Sequence, residues 1–308
     1  MVELEQANLS CACPACVAMC FTQSMSASFS VVGLLFAWWI HRTNGNRSLL
    51  QGVLWFVGME VLQVAQYAVI ATDIDAAAPT MEAFLASPVC QSGINRFLTV
   101  VGLLHIAFQP YHSAILFCAF FRSKESRAQL KLVNRLQIAG GCMLAARYAL
   151  THVDAATFEQ LGMDVRYAFD PAAWSNSNAE WLVGPVLCTY QGLTHLAWSI
   201  PLAPVSYYVP SMAIHSFLMF MPFFVVDTGN TVANVANCVA GGLLFVSGPL
   251  VADWFSSNKH EAPTIWCFFS ILQILVLTML LVIQRMSHGR WYVDAAEEKK
   301  RAVKGKRA

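Results

Sequence analysis

Apolar stretches about as long as a bilayer is thick recur throughout this 308-residue chain, and no other feature constrains its fold as tightly. A helix needs ~20 mostly apolar residues to cross the hydrocarbon. Eight segments approach that length: 24–40, 49–71, 97–121, 132–152, 181–201, 207–226, 235–252 and 264–284. Hydrophobic residues make up 57% of the chain and charged residues only 12%, an apolar excess larger than one water-facing core requires. We therefore expect an all-α integral membrane helical bundle with eight hydrophobic segments, seven or eight of them spanning. Residues 1–18 read as a short Cys-rich extension, 19–284 as a single multi-pass domain and 285–308 as a basic, disordered tail.

The segments differ in strength. The third, sixth and eighth are strong. The fourth carries Asn134, Arg135, Gln137 and Arg147, and an amphipathic helix lying in the interface would suit it as well as a span. The seventh contains Gly241, Gly242, Gly248 and Pro249, which membrane helices tolerate where neighbours satisfy the backbone. Glu3 and Glu5 precede the first run where a cleavable signal would carry a basic stretch, so the first helix reads as an uncleaved anchor.

Charge orients the bundle. Arg42 and Arg47 lie in the first loop, and Arg122, Lys124, Arg127, Lys131 and Arg135 lie around the third; the second and fourth loops hold only Arg166. The positive-inside rule then puts the N-terminus outside or in the lumen, of either the plasma membrane or an endomembrane. The tail, with Lys299, Lys300, Arg301, Lys304, Lys306 and Arg307, also belongs in the cytosol, which an even number of crossings cannot provide. The fourth segment is the first suspect for one that fails to span.

Two short motifs stand out. The chain reads Met19, Cys20, Phe21, Thr22 before the first segment and Trp266, Cys267, Phe268, Phe269, Ser270 in the last. With Pro210, His215, Ser216, Phe217 and the pair Ser256, Ser257, these resemble a family of uncharacterised polytopic membrane proteins whose members begin Met-Cys-Phe-Ser and end in a Trp-Cys-Phe-Phe-Ser helix. Thr22 stands where that family has serine and keeps the hydroxyl. The resemblance implies a multi-pass fold and no particular activity or cofactor.

Polar side chains inside the apolar segments are the candidates for function, because each is costly in hydrocarbon unless paired or facing a cavity. The second segment carries Glu60, Gln63 and Tyr67 on one helical face; the third carries His105, Gln109 and His112 beside Pro110. The fifth carries Gln191, His195 and Trp198 at the same kind of spacing, the sixth His215, and the eighth Trp266, Ser270 and Gln273. Counting the ~1.5 Å rise per residue, Glu60, His112 and His215 fall near the bilayer middle. Read functionally, Glu60, Gln63, His105, Gln109, His112, His195, His215 and Gln273 line a ligand or proton pathway. Glu60, His112 and His215 would suit a divalent metal such as zinc. Read structurally, they are hydrogen-bond glue between helices.

Cys11, Cys13 and Cys16 lie on the oxidising side with Cys90, making these four the disulfide candidates; Cys118, Cys142, Cys188, Cys238 and Cys267 read as small hydrophobes in apolar helices. His260 and Glu261, just before Pro263, suit a solvated helix cap or a gate. Asp227, Asn230, Asn234 and Asn237 form a second polar stripe, suiting either a vestibule or a solvated turn. No lysine falls in a segment, so a retinal Schiff base is excluded, and no P-loop, dinucleotide fingerprint or His-Glu-x-x-His motif occurs. The net charge of +1 argues against a nucleic-acid partner. Partners are the lipid bilayer and a small ligand or ion. A transporter, channel or receptor-like binder of an ion, proton or small ligand fits best; an intramembrane metal-dependent hydrolase acting on a lipid is the alternative.

Overall fold

A computed structural model describes residues 22–43, 47–117, 124–152, 181–203, 212–227, 231–256 and 258–269, with single positions at 157, 160 and 279. In chain order the elements are α1 (Gln23–Arg42), α2 (Arg47–Tyr67), α3 (Met81–Ala86), α4 (Pro88–Gln91), α5 (Gly93–Phe117), α6 (Lys124–Leu150), β1 (Cys188–Gln191), β2 (Leu196–Ser199), α7 (Met212–Val225) and α8 (Thr231–Phe255). Residues 262–269 form a further helix. Among the described residues, four helices are long and apolar enough to cross a membrane: α1, α2, α5 and the Asn234–Phe255 part of α8. Eight crossings are not supported.

The helices pack in sequence order, α1 on α2, α2 on α5 and α5 on α6, while α7 reaches α5, α6 and α8. Small residues allow the closest crossings. A Cβ on Gly33 would run into Val57, and one on Gly52 would come 2.9 Å from Leu116. Val31, Val32, Leu34 and Leu35 of α1 and Val232, Val235, Val239, Leu243 and Leu250 of α8 remain exposed. That is the outward face expected of helices solvated by lipid rather than water.

The fifth apolar segment does not form a helix. Residues 188–199 make an antiparallel hairpin in which Cys188 pairs with Ser199, Thr189 with Trp198, Tyr190 with Ala197 and Gln191 with Leu196. The helical spacing assigned to Gln191, His195 and Trp198 is corrected accordingly: Gln191 and Trp198 are strand residues, and His195 lies in the turn. A continuous apolar run cannot by itself distinguish a buried strand from a helix. Gly184, Pro185 and Gly192 and the short β-prone pieces between them decide for the strand. Ala71 extends the pairing, accepting from Gln191 N–H at 2.8 Å and donating to Thr189 O at 3.4 Å.

The hairpin is buried on both sides. Cys188, Tyr190, Leu196, Ala197 and Trp198 are all inaccessible. Ala71, Ile74, Phe84 and Cys90 cover one face, while Trp198 packs with Leu103, Ile106, Leu182 and Ile200 on the bundle side. Cys90 forms a disulfide with Cys188, 98 residues away in sequence. Cys188 is therefore not a small hydrophobe in a membrane helix, and the partner of Cys90 is not one of the N-terminal cysteines. Cys11, Cys13 and Cys16 lie outside the described residues, as do Gln273 and the segments 1–18 and 285–308.

The fourth segment belongs to a longer helix than expected, α6, which packs against α5 and α7 and is not among the four long and apolar enough to cross a membrane. Leu130, Val133, Gln137, Leu144 and Arg147 are buried along its length. At its end Arg147 donates to Ala203 O at 3.0 Å, and Ala203 N–H donates back to Arg147 O at 3.1 Å. The chain thus leaves the hairpin from the same end of the bundle that α6 reaches. Leu182, at the hairpin base, has a positive φ of 71°. That conformation costs an L-residue ~1–2 kcal/mol and persists here because burial and the Ile200 N–H donated to Leu182 O at 2.8 Å fix it.

Candidate functional site

The site has two parts, an outer cap and a line of buried polar side chains below it. The cap is built on Asn95 at the start of α5. Its Nδ2 donates to Val69 O at 2.9 Å and Thr189 O at 2.8 Å, and its Oδ1 accepts Thr189 N–H at 2.9 Å. Gln66, at the end of α2, donates to Leu98 O and Thr189 Oγ1 and accepts the Trp198 indole N–H at 3.3 Å. Thr99 and Thr189 hydroxyls meet at 2.7 Å. Almost every polar group in this layer is satisfied, as a rigid buried network requires.

His260 and Glu261 are structural members of the cap and are not solvated: they are 2% and 0% exposed. The Glu261 carboxylate accepts Thr194 N–H at 2.8 Å and His195 N–H at 3.2 Å, holding the hairpin turn. The His260 ring lies between the Tyr190 hydroxyl, 2.9 Å from Nδ1, and Val183 O, 2.8 Å from Nε2. Val183 O can only accept, so Nε2 carries the hydrogen and Nδ1 accepts from Tyr190. Burial pushes the His260 pKa down to about 4, against a smaller upward push from the Val183 carbonyl. Burial likewise raises the Tyr190 hydroxyl above its ordinary range and pushes His195 down to about 3. These groups are neutral at ordinary pH and hold the cap by geometry, not charge.

Below the cap, α2 presents Tyr67, Gln63, Glu60 and Trp55 in turn. The Tyr67 hydroxyl lies 3.4 Å from His195 Nδ1, which brings His195 to the cap end of the line. Ser26 of α1 donates to Gln63 Oε1 at 3.2 Å. Trp55 stacks with two α5 residues at once: its ring is 4.5 Å from His105 at 15° and 3.6 Å from His112 at 6°. α5 also supplies Gln109 and Ser113, and α7 supplies His215 and Ser216, all buried except the half-buried His112.

Many of these groups lack a protein partner. Trp55 Nε1, Glu60 Oε1, Gln63 Nε2, Gln109 Oε1, His112 Nδ1, Ser113 Oγ, His215 Nε2 and Ser216 Oγ are buried with no hydrogen bond inside the described protein. Native interiors hold few such atoms, and each costs roughly 1–3 kcal/mol. These eight lie on α2, α5 and α7, and α6 adds Asn134 Oδ1 and Gln137 Oε1.

Among the described residues, no group of three His, Cys, Asp or Glu side chains lies close enough to hold a metal ion. The common depth of Glu60, His112 and His215 therefore does not become a common point, because a helical position fixes height but not direction around the bundle. The second polar stripe is partly described: Asn234 donates to Asp227 Oδ1 at 2.7 Å, and Asp227 N–H donates to Gln129 Oε1 at 2.8 Å, tying α6 to the start of α8. Asn230 lies outside the described residues. Sequence reading missed Trp55, Gln66, Asn95, Thr99 and Tyr190. Only Trp55 carried a signal, standing six residues from the nearest segment end, deeper than an interface anchor needs.

Neither curated proteins nor solved structures give a match to the chain. Residues 24–287 match the model of DUF5765, a family of unknown function, and the chain belongs to that family.

Proposed function

We propose that this chain is a multi-pass membrane protein that takes up and passes protons along the polar line of α2 and α5. The supporting observation is the set of partnerless buried atoms. It mixes acceptors (Glu60 Oε1, Gln109 Oε1), donors (Trp55 Nε1, Gln63 Nε2) and groups that do either (the histidines and serines). A bare cation wants acceptors alone and an anion wants donors alone. A mixed set suits a proton moving through hydroxyls, imidazoles and water. The scatter of the ionisable groups disfavours a metal-dependent hydrolase, which needs three ligands at one point.

A seven-crossing topology accompanies this reading. With 181–203 returning to the side from which it came, α1, α2, α5, α6, α7, α8 and the helix opening at 262 alternate in direction. The basic tail then falls on the side of Arg42, Arg47 and Lys124. The Cys90–Cys188 bond lies at the opposite end, as an oxidising compartment favours.

Proteoliposomes loaded with a pH-sensitive dye, under an imposed potassium diffusion potential, test the reading. With the external medium at about pH 5, wild type is expected to acidify the lumen faster than protein-free liposomes, and Glu60→Gln to slow it by roughly tenfold. Wild-type flux equal to the protein-free control would overturn it.

A further inference from the structure

Trp55 is unlike the other tryptophans of the bundle. Most of them lie at helix ends or against apolar neighbours, whereas Trp55 reaches from α2 to stack with two imidazoles seven residues apart on α5. Those residues are ~10 Å apart along the helix axis, so the indole occupies the gap between them. The two imidazoles differ in access: His105 is 8% exposed, while His112 is half-buried, and its Nδ1 has no protein partner. A proton arriving from the α5 C-terminal side meets His112 first. To reach His105 and the groups beyond, it must pass the indole, which has no basic site.

We propose that His112, Trp55 and His105 form a proton-operated gate, in which His112 takes up the proton and the Trp55 ring blocks its transfer to His105 until the indole turns. This rests on the reading that the polar line passes protons, and it adds where the line is closed and what opens it. Hydronium gives its proton to the imidazole lone pair of His112: one O–H bond breaks, one N–H bond forms, and neutral water leaves. The resulting imidazolium lies face to face on the indole at a 3.6 Å centroid distance, well inside the ~6 Å over which a ring quadrupole attracts a cation. Attraction to Trp55 stabilises the charged state, and repulsion from a second protonated imidazole at His105 opposes loading both at once.

Among the described residues, neither histidine of this trio makes an ion pair. On α5 itself, the Tyr111 ring meets His112 edge-on at 5.1 Å. On α2 the carboxylate is Glu60, more than a turn further toward the outer end. On α6, Lys131 and Arg135 are exposed and Arg147 is bonded to Ala203 O at the outer end. α7 contributes His215, and the hairpin contributes His195, placed at Tyr67, and Tyr190, placed at His260. The indole faces are in direct contact with both imidazoles, 3.6 Å from His112 and 4.5 Å from His105.

The test uses the full chain in lipid nanodiscs, with tryptophan emission followed from about pH 8 to about pH 5. Subtracting the Trp55→Phe spectrum isolates Trp55. A cationic imidazole in contact quenches indole emission, so the Trp55 component is expected to fall about twofold with acid in wild type and to stay flat in His112→Gln. A Trp55 component that ignores pH in wild type, or titrates unchanged in His112→Gln, overturns the gate. Flux gives a second reading that needs no His112 variant: Trp55→Phe is expected to conduct near neutral pH, where wild type is closed, and a flux profile identical to wild type overturns it. Absent flux with an intact Trp55 titration would instead sink proton passage while leaving the His112 site. Flux with a silent Trp55 would sink the gate alone.

Discussion

Asn95 clasps Thr189 from both sides, accepting its N–H at 2.9 Å and donating to its carbonyl at 2.8 Å. One side chain at the start of α5 thus does for β1 what a neighbouring strand would do. Asn95→Ala leaves the Thr189 N–H buried and unpaired, and takes the Asn95 hydrogen bonds from Val69 O and from Thr189 O, the latter keeping only the longer one from Ala71 N–H. We expect a loss of about 2–4 kcal/mol, read as a fall in the thermal unfolding midpoint of the purified protein. Asn95→Asp keeps the acceptor and loses the donor, so it should also destabilise; stability equal to wild type in both variants would refute the clasp.

The Cys90–Cys188 bond fastens the same strand covalently. Cross-linking residues 98 apart removes much of the freedom of the unfolded chain, contributing up to ~4–5 kcal/mol. The double variant Cys90→Ser, Cys188→Ser should unfold at lower temperature than wild type. Reductant should lower the wild-type midpoint toward that of the double variant and leave the latter where it is. A reductant-sensitive double variant would mean that other cysteines carry the effect.

How much of this was legible in the sequence differs from part to part, for physical reasons. Apolar length located α1, α2, α5 and α8, because crossing hydrocarbon imposes a length whatever the neighbours are. It misjudged 181–201, because a strand buried on both faces is as continuously apolar as a helix. Suspicion fell on the fourth segment, whose helix is indeed not among the four long and apolar enough to cross a membrane, but the hairpin in the fifth went unseen. Polar spacing placed His105, Gln109 and His112 on one face, and α5 carries them on α2. It could not see that Trp55 fills the space between two of them, since that contact joins residues 50 and 57 positions apart. Cys188 and His195 were misplaced together, by the same helical assumption.

The neutral His260 makes the cap sensitive to acid. Its pKa is held at about 4 in the folded protein, against an ordinary ~6.5 in the unfolded chain. Above pH ~6.5 neither state binds the proton and stability is at its plateau. Between pH ~6.5 and about 4 the unfolded chain binds a proton that the folded protein refuses, so stability falls as pH falls, by on the order of 3 kcal/mol. His195, pushed down to about 3, adds in the same direction. His260→Gln keeps an acceptor for Tyr190 and a donor for Val183 and should flatten this acid slope by about half. Unfolding midpoints measured at several pH values decide it: equal slopes in variant and wild type would place the acid sensitivity elsewhere.

Gly192 opens the turn whose N–H groups Glu261 collects. Its own N–H donates to His195 O at 2.8 Å, closing the hairpin, and a Cβ there would overlap both His195 O and the Glu261 carboxylate. Neither can retreat cheaply: the carbonyl belongs to the turn, and the carboxylate is fully buried and bonded to Thr194 and His195. Gly192→Ala should therefore cost about 2–3 kcal/mol, far above the few tenths usual for an exposed loop glycine. Glu261→Ala removes the obstruction but strands two N–H groups, so it should also destabilise on its own. The two substitutions should not add. In the double variant the overlap with the carboxylate is gone and only that with His195 O remains, so Gly192→Ala should cost less there than in wild type, by ~1 kcal/mol or more. Additive losses in that cycle, measured by thermal or denaturant unfolding, would show that the glycine and the glutamate act separately, and that the turn is not held by the contact between them.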